Sequence, residues 1–220
     1  MRKKIGCLHA HYSNIAYIQQ ALATYELELV HYVDPGLISR ITNDSSFNAE
    51  KATSKVTEQL RWIMGNQVDA ILLTCTNYIA LLDEEQLQPT VPIIKIDEPF
   101  FAQLAAINQP HVLLFTNPAT VEGTIERLMA HTDKQGVSLL HLESHVIEDT
   151  FDLLMQGKQE AYEKVICSYI EQLHEDQPDI QISVAQLSMV NAASRMEQEL
   201  GMNIGNPLKP LVKHILDALA

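Results

Sequence analysis

The feature that most constrains the fold is an alternation of short apolar runs with helical patterns, which restarts near the middle of the chain. The first apolar run covers residues 5–8, and apolar side chains then recur at helical spacing over 15–22. A new apolar run at 112–115 is again followed by a helical pattern over 121–129. Strands that alternate with helices predict parallel sheets. The sequence therefore predicts an α/β fold, with mainly parallel sheets flanked by helices.

The same alternation continues along the whole chain. The predicted strands are 5–8, 27–33, 68–74, 91–96, 112–115, 137–142 and 180–187. The predicted helices are 15–22, 49–64, 121–129, 147–156, 158–175 and 208–219, with further helices after Cys75 and after Ser188. We expect the polar stretch 37–47, which follows a turn signal at Asp34-Pro35-Gly36, to form a loop.

The restart indicates an internal repeat. Residues 5–22 align with 112–129 without a gap, so that strand, polar turn and helix fall in register. Residues 71–77 align likewise with 184–190, which places Cys75 opposite Ser188. Two similar halves predict two pseudo-symmetric α/β lobes with a ligand-binding cleft between them.

Polar residues stand where several predicted strands end. His9, Cys75, Thr116 and Ser188 follow strands, and in parallel sheets ligands bind at the carboxyl ends of strands, near helix N-termini. A cysteine in this position has a lowered thiol pKa and an exposed sulfur, whereas a cysteine inside a strand packs as a small apolar residue. We therefore predict a functional role for Cys75 and a core role for Cys7.

The composition of the chain disfavours several classes of function. The chain carries 28 acidic and 15 basic residues, a formal charge of −13, which disfavours binding to nucleic acid or to anionic membranes. Three cysteines, an odd number, predict no disulfide framework, and no apolar run approaches the roughly 20 residues of a membrane span. We expect a cytoplasmic protein.

Common cofactor motifs are absent from the sequence. It contains no GxGxxG, GxxxxGK[ST], HExxH or GxSxG pattern, which disfavours dinucleotide, P-loop, zincin and α/β-hydrolase functions. The stretch "HLESH", with His141 and His145 around Glu143, offers no obvious third ligand. We predict neither a metal nor a cofactor.

Four short motifs carry a resemblance to a known family. "CTN" closes a strand, "VPIIKIDEP" follows about twenty residues later, "TNPATVEGT" follows the restarting strand, and "AQLSM" lies near the end. In this order, over nearly the whole chain, they resemble the aspartate/glutamate/hydantoin racemase superfamily. The resemblance implies a first lobe of residues 1–97 plus 207–220, a second lobe of 98–206, cofactor-free catalysis and a homodimer.

The resemblance also implies roles for particular residues. The family's first catalytic cysteine maps onto Cys75, whereas its second cysteine is replaced by Ser188. The polar residues that hold the substrate carboxylate map onto both lobes: Thr76, Asn77, Thr116, Asn117 and Thr120. His9 falls near the position at which glutamate racemases carry an acidic residue.

The expected function is that of a racemase or isomerase that works without pyridoxal phosphate. Cys75 would transfer a proton at Cα of a small carboxylate, such as aspartate, glutamate or a related acid. Because serine is a much weaker base than a thiolate, Ser188 leaves alternatives open. These are a single-cysteine decarboxylase of a malonate-like acid, an isomerase of a double bond, and a carboxylate-binding protein without turnover.

Overall fold

The chain folds into two compact units, each built on a parallel sheet. The computed structural model describes residues 2–137, 139 and 142–219. One unit comprises Met1–Asp97 with Leu211–Ala220, and the other comprises Glu98–Pro210. The predicted fold class, with two α/β halves and parallel sheets flanked by helices, is confirmed.

The first unit contains a four-stranded sheet in the order β2-β1-β3-β4. All neighbouring strands are parallel. The strands are β1 (Lys3–His9), β2 (Leu27–Val33), β3 (Ala70–Leu73) and β4 (Ile93–Lys95). The helices are α1 (Asn14–Leu22), α2 (Gly36–Asn43), α3 (Ala49–Met64), α4 (Thr76–Ala80) and α5 (Glu84–Leu87). The last helix of the chain, α11 (Leu208–Leu219), begins in the second unit and belongs to the first unit from Leu211 onward.

Helix α3 shows how the apolar pattern builds this unit. Its residues Ala52, Val56, Leu60 and Ile63 are all buried, as expected for side chains at helical spacing. The helix approaches β1 so closely that a Cβ at Gly6 would overlap Ile63. The close approach explains why the central strand carries glycine at this position.

The second unit contains a three-stranded parallel sheet in the order β6-β5-β7. Its strands are β5 (His111–Phe115), β6 (Leu142–Val146) and β7 (Gln181–Val184). Its helices are α6 (Glu98–Ala105), α7 (Val121–Gln135), α8 (Thr150–Met155), α9 (Gln159–Asp176) and α10 (Val190–Leu200), with 3-10 turns at Pro118–Thr120 and Leu187–Met189.

The two sheets share the topology that the repeat predicts. In each sheet the first strand is central, the second strand pairs with it on one side and the third strand on the other. The order β2-β1-β3 of the first unit therefore corresponds to β6-β5-β7 of the second.

The predicted loop at 37–47 is wrong over most of its length. Helix α2 covers Gly36–Asn43, and its first N–H groups bond to the side chain of Asp34, whose Oδ1 accepts from Gly36 N at 2.8 Å and from Leu37 N at 3.3 Å. Leu37 is the one residue of α2 that is buried. Leu37, Ile38 and Ile41 fall at helical spacing, but a helix of eight residues that follows a turn signal offers too short a pattern to stand out in the sequence.

Other differences concern short elements and boundaries. Helices α5 and α6 were not predicted, and β3, β4 and β7 are shorter than expected. Strand β6 begins at Leu142, whereas the predicted strand covered 137–142, of which 138, 140 and 141 lie outside the described residues. Among the helices that the structure describes, none has the length and apolar character needed to cross a membrane.

Candidate active site

Cys75 lies at the carboxyl end of β3, immediately before α4. Strand β3 ends at Leu73, and the N–H of Thr74 continues the ladder by donating to the carbonyl of Leu8 at 3.1 Å. Cys75 has extended backbone angles and occupies the N-cap position of α4. Its side chain is half-buried, whereas Cys7 and Cys167 are buried. Of the three cysteines, Cys75 is thus the one that is not buried in the core.

Two hydrogen-bonded histidines, the buried His9 and the half-buried His31, support the turn that carries Cys75. His9 is fully buried at the end of β1, and its Nδ1 lies 2.8 Å from Oγ1 of Thr74. Its Nε2 lies 2.9 Å from Nδ1 of His31, which stands on the neighbouring strand β2. Asn14 also donates to the Thr74 hydroxyl, at 3.3 Å. The Thr74 side chain next to Cys75 is therefore held by residues from β1 and α1.

Burial favours the neutral form of both histidines. Desolvation, together with repulsion from His31, lowers the pKa of His9 to about 4, and burial also lowers the pKa of His31. A neutral imidazole with both nitrogens engaged positions its neighbours and carries no charge near neutral pH. His9 thus lies behind the candidate site, with no exposed surface of its own.

The same pair belongs to a cluster with metal-ligand chemistry. One ligand atom each of Cys7, His9 and His31 lies within 4.8 Å of the others. Burial, however, raises the pKa of the Cys7 thiol to about 12, and a metal would have to displace the hydrogen bond between the two histidines. The two ring nitrogens that face each other, His9 Nε2 and His31 Nδ1, are already hydrogen-bonded to each other.

Helix α4 supplies the polar residues that follow Cys75. Thr76 is half-buried and Asn77 is exposed, in the first turn of the helix. Tyr78 is fully buried and donates its hydroxyl to the carbonyl of Asp34 at 2.8 Å, which fixes α4 against the end of β2. Burial, followed by the negative charges of Asp34 and Cys75, raises the pKa of Tyr78.

In the second unit, the side chain of Gln186 occupies the turn after β5. Its Oε1 accepts from Thr116 N at 2.7 Å, from the Thr116 hydroxyl at 2.9 Å and from Asn117 N at 3.2 Å. Three donors converging on one oxygen are the arrangement that we expected to hold a carboxylate. In this structure the chain's own amide oxygen fills that position.

A chain of hydroxyl groups links Ser188 to this turn. The Ser188 Oγ lies 2.7 Å from the hydroxyl of Tyr162, a fully buried residue of α9. The Tyr162 hydroxyl lies 3.0 Å from Oγ1 of Thr116. Ser188 is half-buried. The structure thus connects two predicted site residues, Ser188 and Thr116, through a tyrosine that the sequence did not single out.

The strand ladders identify Gln186 as the counterpart of Cys75. Thr74 N donates to Leu8 O in the first unit, and Ala185 N donates to Leu114 O in the second. The next residues, Cys75 and Gln186, both have extended backbone angles and both precede a short helix. The sequence repeat, which aligned Cys75 with Ser188, is therefore out of register by two residues. A pattern of apolar residues does not fix ladder register, whereas backbone hydrogen bonds do.

The other predicted site residues contact their own turns. Asn117 Oδ1 accepts from Ala119 N at 3.1 Å, and Thr120 donates its hydroxyl to Asn117 O at 2.8 Å. Of the "HLESH" stretch, His141 lies outside the described residues. His145 contacts the Tyr169 hydroxyl at 3.1 Å and Glu143 at 3.3 Å.

A surface pocket lies elsewhere in the first unit. It has a volume of about 600 Å³, and its lining includes Tyr32, Asp34, Gln59 and Trp62 but not Cys75. The lining also includes Val33 and Asp34, at the carboxyl end of β2, but it contains no cysteine, serine or histidine. The candidate site is therefore centred on Cys75, a half-buried thiol at a strand end, and not on this pocket.

Comparison with known proteins identifies solved structures that have a similar fold. No family model matches the sequence, and no curated protein matches it. Solved structures do match, over almost the whole chain. Glutamate racemase from Francisella tularensis subsp. tularensis SCHU S4, in complex with D-glutamate, is 15% identical, with 99% of this chain and 81% of that chain covered and a TM-score of 0.66.

Two further structures have other activities in their names. Allantoin racemase from Klebsiella pneumoniae is 20% identical, with 98% and 86% of the two chains covered and a TM-score of 0.68. The Gly74Cys mutant of arylmalonate decarboxylase is 16% identical, with 98% and 93% covered and a TM-score of 0.60. Identity at this level establishes the fold and leaves the reaction open. The chain thus shares the two-unit α/β fold of these racemases and of this decarboxylase, as the resemblance of its motifs predicted.

Proposed function

We propose that the protein is a cofactor-independent, racemase-like enzyme that transfers a proton at the carbon next to a small carboxylate. The observation that carries the proposal is the position of Cys75. It is half-buried at the carboxyl end of β3, before a helix, while the other two cysteines are buried. The racemase fold and the D-glutamate in one of the matching structures support the class of reaction and of ligand.

In the proposed mechanism, the Cys75 thiolate removes the Cα proton. The electrons of the broken C–H bond spread into the carboxylate, which Thr76 and Asn77 hold at the start of α4. Return of a proton from Cys75 restores the acid. His9 acts as a positioning residue through Thr74. Thr116, Asn117 and Thr120 shape the second unit's turn, in which Gln186 fills the three-donor position.

Decarboxylation of a malonate-like acid is the second candidate. It is favoured by Gln186, because an amide at the position equivalent to Cys75 cannot act as a second base. In this reaction a carboxylate leaves as carbon dioxide, and the C–C bonding electrons form an enediolate, which takes the Cys75 proton. Only one thiol is needed. The arylmalonate decarboxylase mutant among the matching structures supports this candidate.

The first experiment is solvent exchange in D₂O. Amino acids, dicarboxylates, hydantoins and arylmalonates are incubated with the protein, and the Cα proton is followed by NMR. We expect Cys75→Ala to lower exchange by about 10²- to 10⁴-fold, the usual contribution of an acid–base group. Cys167→Ala, a change at a buried cysteine, should leave the rate within about twofold. Full exchange in Cys75→Ala would refute the assignment of the base.

A second variant separates one-base from two-base chemistry. Gln186→Cys places a thiol at the position that the ladder makes equivalent to Cys75. If one base limits the wild type, exchange should exceed inversion in the wild type, and inversion should rise in Gln186→Cys. Release of carbon dioxide from arylmalonates by the wild type would instead assign the protein to the decarboxylases.

A further inference from the structure

The surface pocket of the first unit is formed by α3 and by the carboxyl ends of two strands. Leu8, near the end of β1, contributes to its lining, as do Tyr32 near the end of β2 and Asp34 just after it. Ligands of parallel sheets bind at this edge. The volume of about 600 Å³ falls in the range of roughly 300–1,000 Å³ that is typical of small-molecule sites. Position and size therefore indicate a ligand site that does not include Cys75.

The buried oxygen of one amide in this pocket lacks a hydrogen-bond donor. Gln59, on α3, donates its Nε2 to Oδ2 of Asp34. Because a carboxylate can only accept, the nitrogen of this amide faces Asp34 and the oxygen is left for another partner. Gln59 Oε1 is buried, and no donor among the described residues reaches it. A buried acceptor without a partner costs free energy, which a ligand N–H would recover.

Two side chains next to Gln59 can make way for a ligand. Lys55 and Trp62, one helical turn before and after Gln59, also line the pocket. Trp62 is 71% exposed, and the Lys55 side chain is 43% exposed. The ion pair of Lys55 with Glu58, at 3.2 Å, lies at the surface, where such pairs contribute little to stability. Exposed side chains change rotamer readily, so a ligand can reach Gln59 without a change in the backbone.

The rest of the lining indicates which kind of ligand fits. Tyr32 and Trp62 offer aromatic faces, against which a flat ring packs favourably. The charged side chains of the lining balance, because two are acidic and two are basic: Asp34, Glu58, Lys55 and Arg61. A lining without net charge favours a neutral ligand, since burying an unpaired charge is costly.

We propose that this pocket binds a neutral aromatic heterocycle that carries an N–H group. The ligand donates its N–H to Gln59 Oε1, and its ring packs against Trp62 and Tyr32. Nucleobases belong to this chemical class. The site goes beyond the proposed reaction, because Cys75 does not line the pocket and takes no part in this binding.

The single tryptophan of the chain makes the site directly observable. In nitrogen–proton correlation NMR spectra of the wild-type protein, the indole N–H of Trp62 gives one signal, which reports on this pocket. The probes are indazole and 1-methylindazole, in which a methyl group replaces the N–H hydrogen. Indazole should shift the signal saturably, and 1-methylindazole should bind about threefold to tenfold more weakly, the usual effect of one neutral hydrogen bond. Equal affinities, or no saturable shift with indazole, would overturn the proposal.

A variant of Gln59 separates the hydrogen bond from a steric effect of the methyl group. Gln59→Leu removes the amide oxygen and keeps a similar volume, so the two probes should bind with equal affinity. A preference for indazole that persists in Gln59→Leu would mean that the methyl group clashes, and would refute the hydrogen bond. Gln172→Leu is the matched control, because Gln172 also donates to an aspartate, Asp176 at 3.1 Å, but lies in the second unit. It should keep the wild-type preference.

Two further measurements test the charge of the ligand and the independence of the site. Benzamidine, a flat ring with a positive charge, should bind no more tightly than indazole, and tighter binding would refute the neutral class. Cys75→Ala should bind indazole with the wild-type affinity. Failure of the proposed reaction would therefore leave this result unchanged, whereas loss of indazole binding in Cys75→Ala would contradict a separate site.

Discussion

At the scale of single residues, the burial of His111 makes the free energy of unfolding depend on pH. It lies at the first position of β5, 3% exposed, and burial lowers its pKa to about 4. In the unfolded chain a histidine titrates near 6.5. As the pH falls from 6.5 towards 4, the unfolded state therefore binds a proton that the folded state does not, and the free energy of unfolding decreases.

We expect His111→Phe to reduce the acid sensitivity of the fold. Between pH 6.5 and pH 5, the wild type should lose about 1.5 kcal/mol of stability through this residue, and the variant should not. Urea denaturation at the two pH values measures the difference. His214→Gln, at an exposed position, serves as the control and should keep the wild-type dependence. Equal pH dependence in wild type and His111→Phe would contradict the assignment.

At the scale of elements, the second sheet is extended by a short pairing next to β7. Gly205 N donates to Ile182 O at 3.0 Å, and Val184 N donates to Gly205 O at 2.8 Å. A Cβ at 205 would overlap the hydroxyl of Ser183 and lie 3.0 Å from the Ser183 Cβ. Ser183 is fully buried, so neither strand can move away cheaply.

Gly205→Ala should therefore destabilise the protein by about 1–3 kcal/mol, the usual cost of overpacking. Ser183→Gly in the same chain removes the overlapping atoms and should recover part of the loss, so that the two changes are not additive. Denaturant midpoints of the single and double variants measure the coupling. Additive effects of Gly205→Ala and Ser183→Gly would argue against a direct clash.

Gly123→Ala, in α7, meets only an ordinary contact at 3.5 Å and should stabilise the helix by up to about 1 kcal/mol.

At the scale of the whole molecule, most of α11 belongs to the unit formed by the first 97 residues. The unit includes Leu211–Ala220, and within α11 the side chains of Leu211 and Ile215 are buried. The chain thus leaves this unit after β4, forms the second unit and then returns.

The cytoplasmic location and the homodimer, which were predicted from the sequence, stay predictions.

Ile215→Ala should destabilise the first unit by about 2–5 kcal/mol, the usual cost of truncating a buried aliphatic side chain. Hydrogen exchange followed by mass spectrometry should show the loss of protection in β1 and β3, with smaller changes in β5 and β7. Lys213→Ala, at an exposed position of the same helix, should change neither. Loss of protection confined to the second unit would show that α11 stabilises the other half of the chain.

Element types were predictable wherever the apolar pattern was long. Helices α3 and α11 were predicted over their full length, because buried apolar side chains at helical spacing mark one face of each. These are Ala52, Val56, Leu60 and Ile63 in α3, and Leu211 and Ile215 in α11. Helix α2 was missed because it has only eight residues and directly follows a turn signal. Of the candidate site, Cys75 was recognised from its position at a strand end, whereas Gln186 and Tyr162 were not. A signal for Gln186 was present, since it follows β7 by two residues, as Cys75 follows β3.

The sequence by itself determined the alternation of strands and helices, the repeat and the place of Cys75 at a strand end. These depend on residues close to one another along the chain, through periodicity and local turn chemistry. The tertiary structure decided the ladder register that pairs Cys75 with Gln186, and the hydroxyl chain from Ser188 to Gln186. The partners in that chain are 26, 46 and 70 residues apart in sequence. Only folding brings such groups within hydrogen-bond distance.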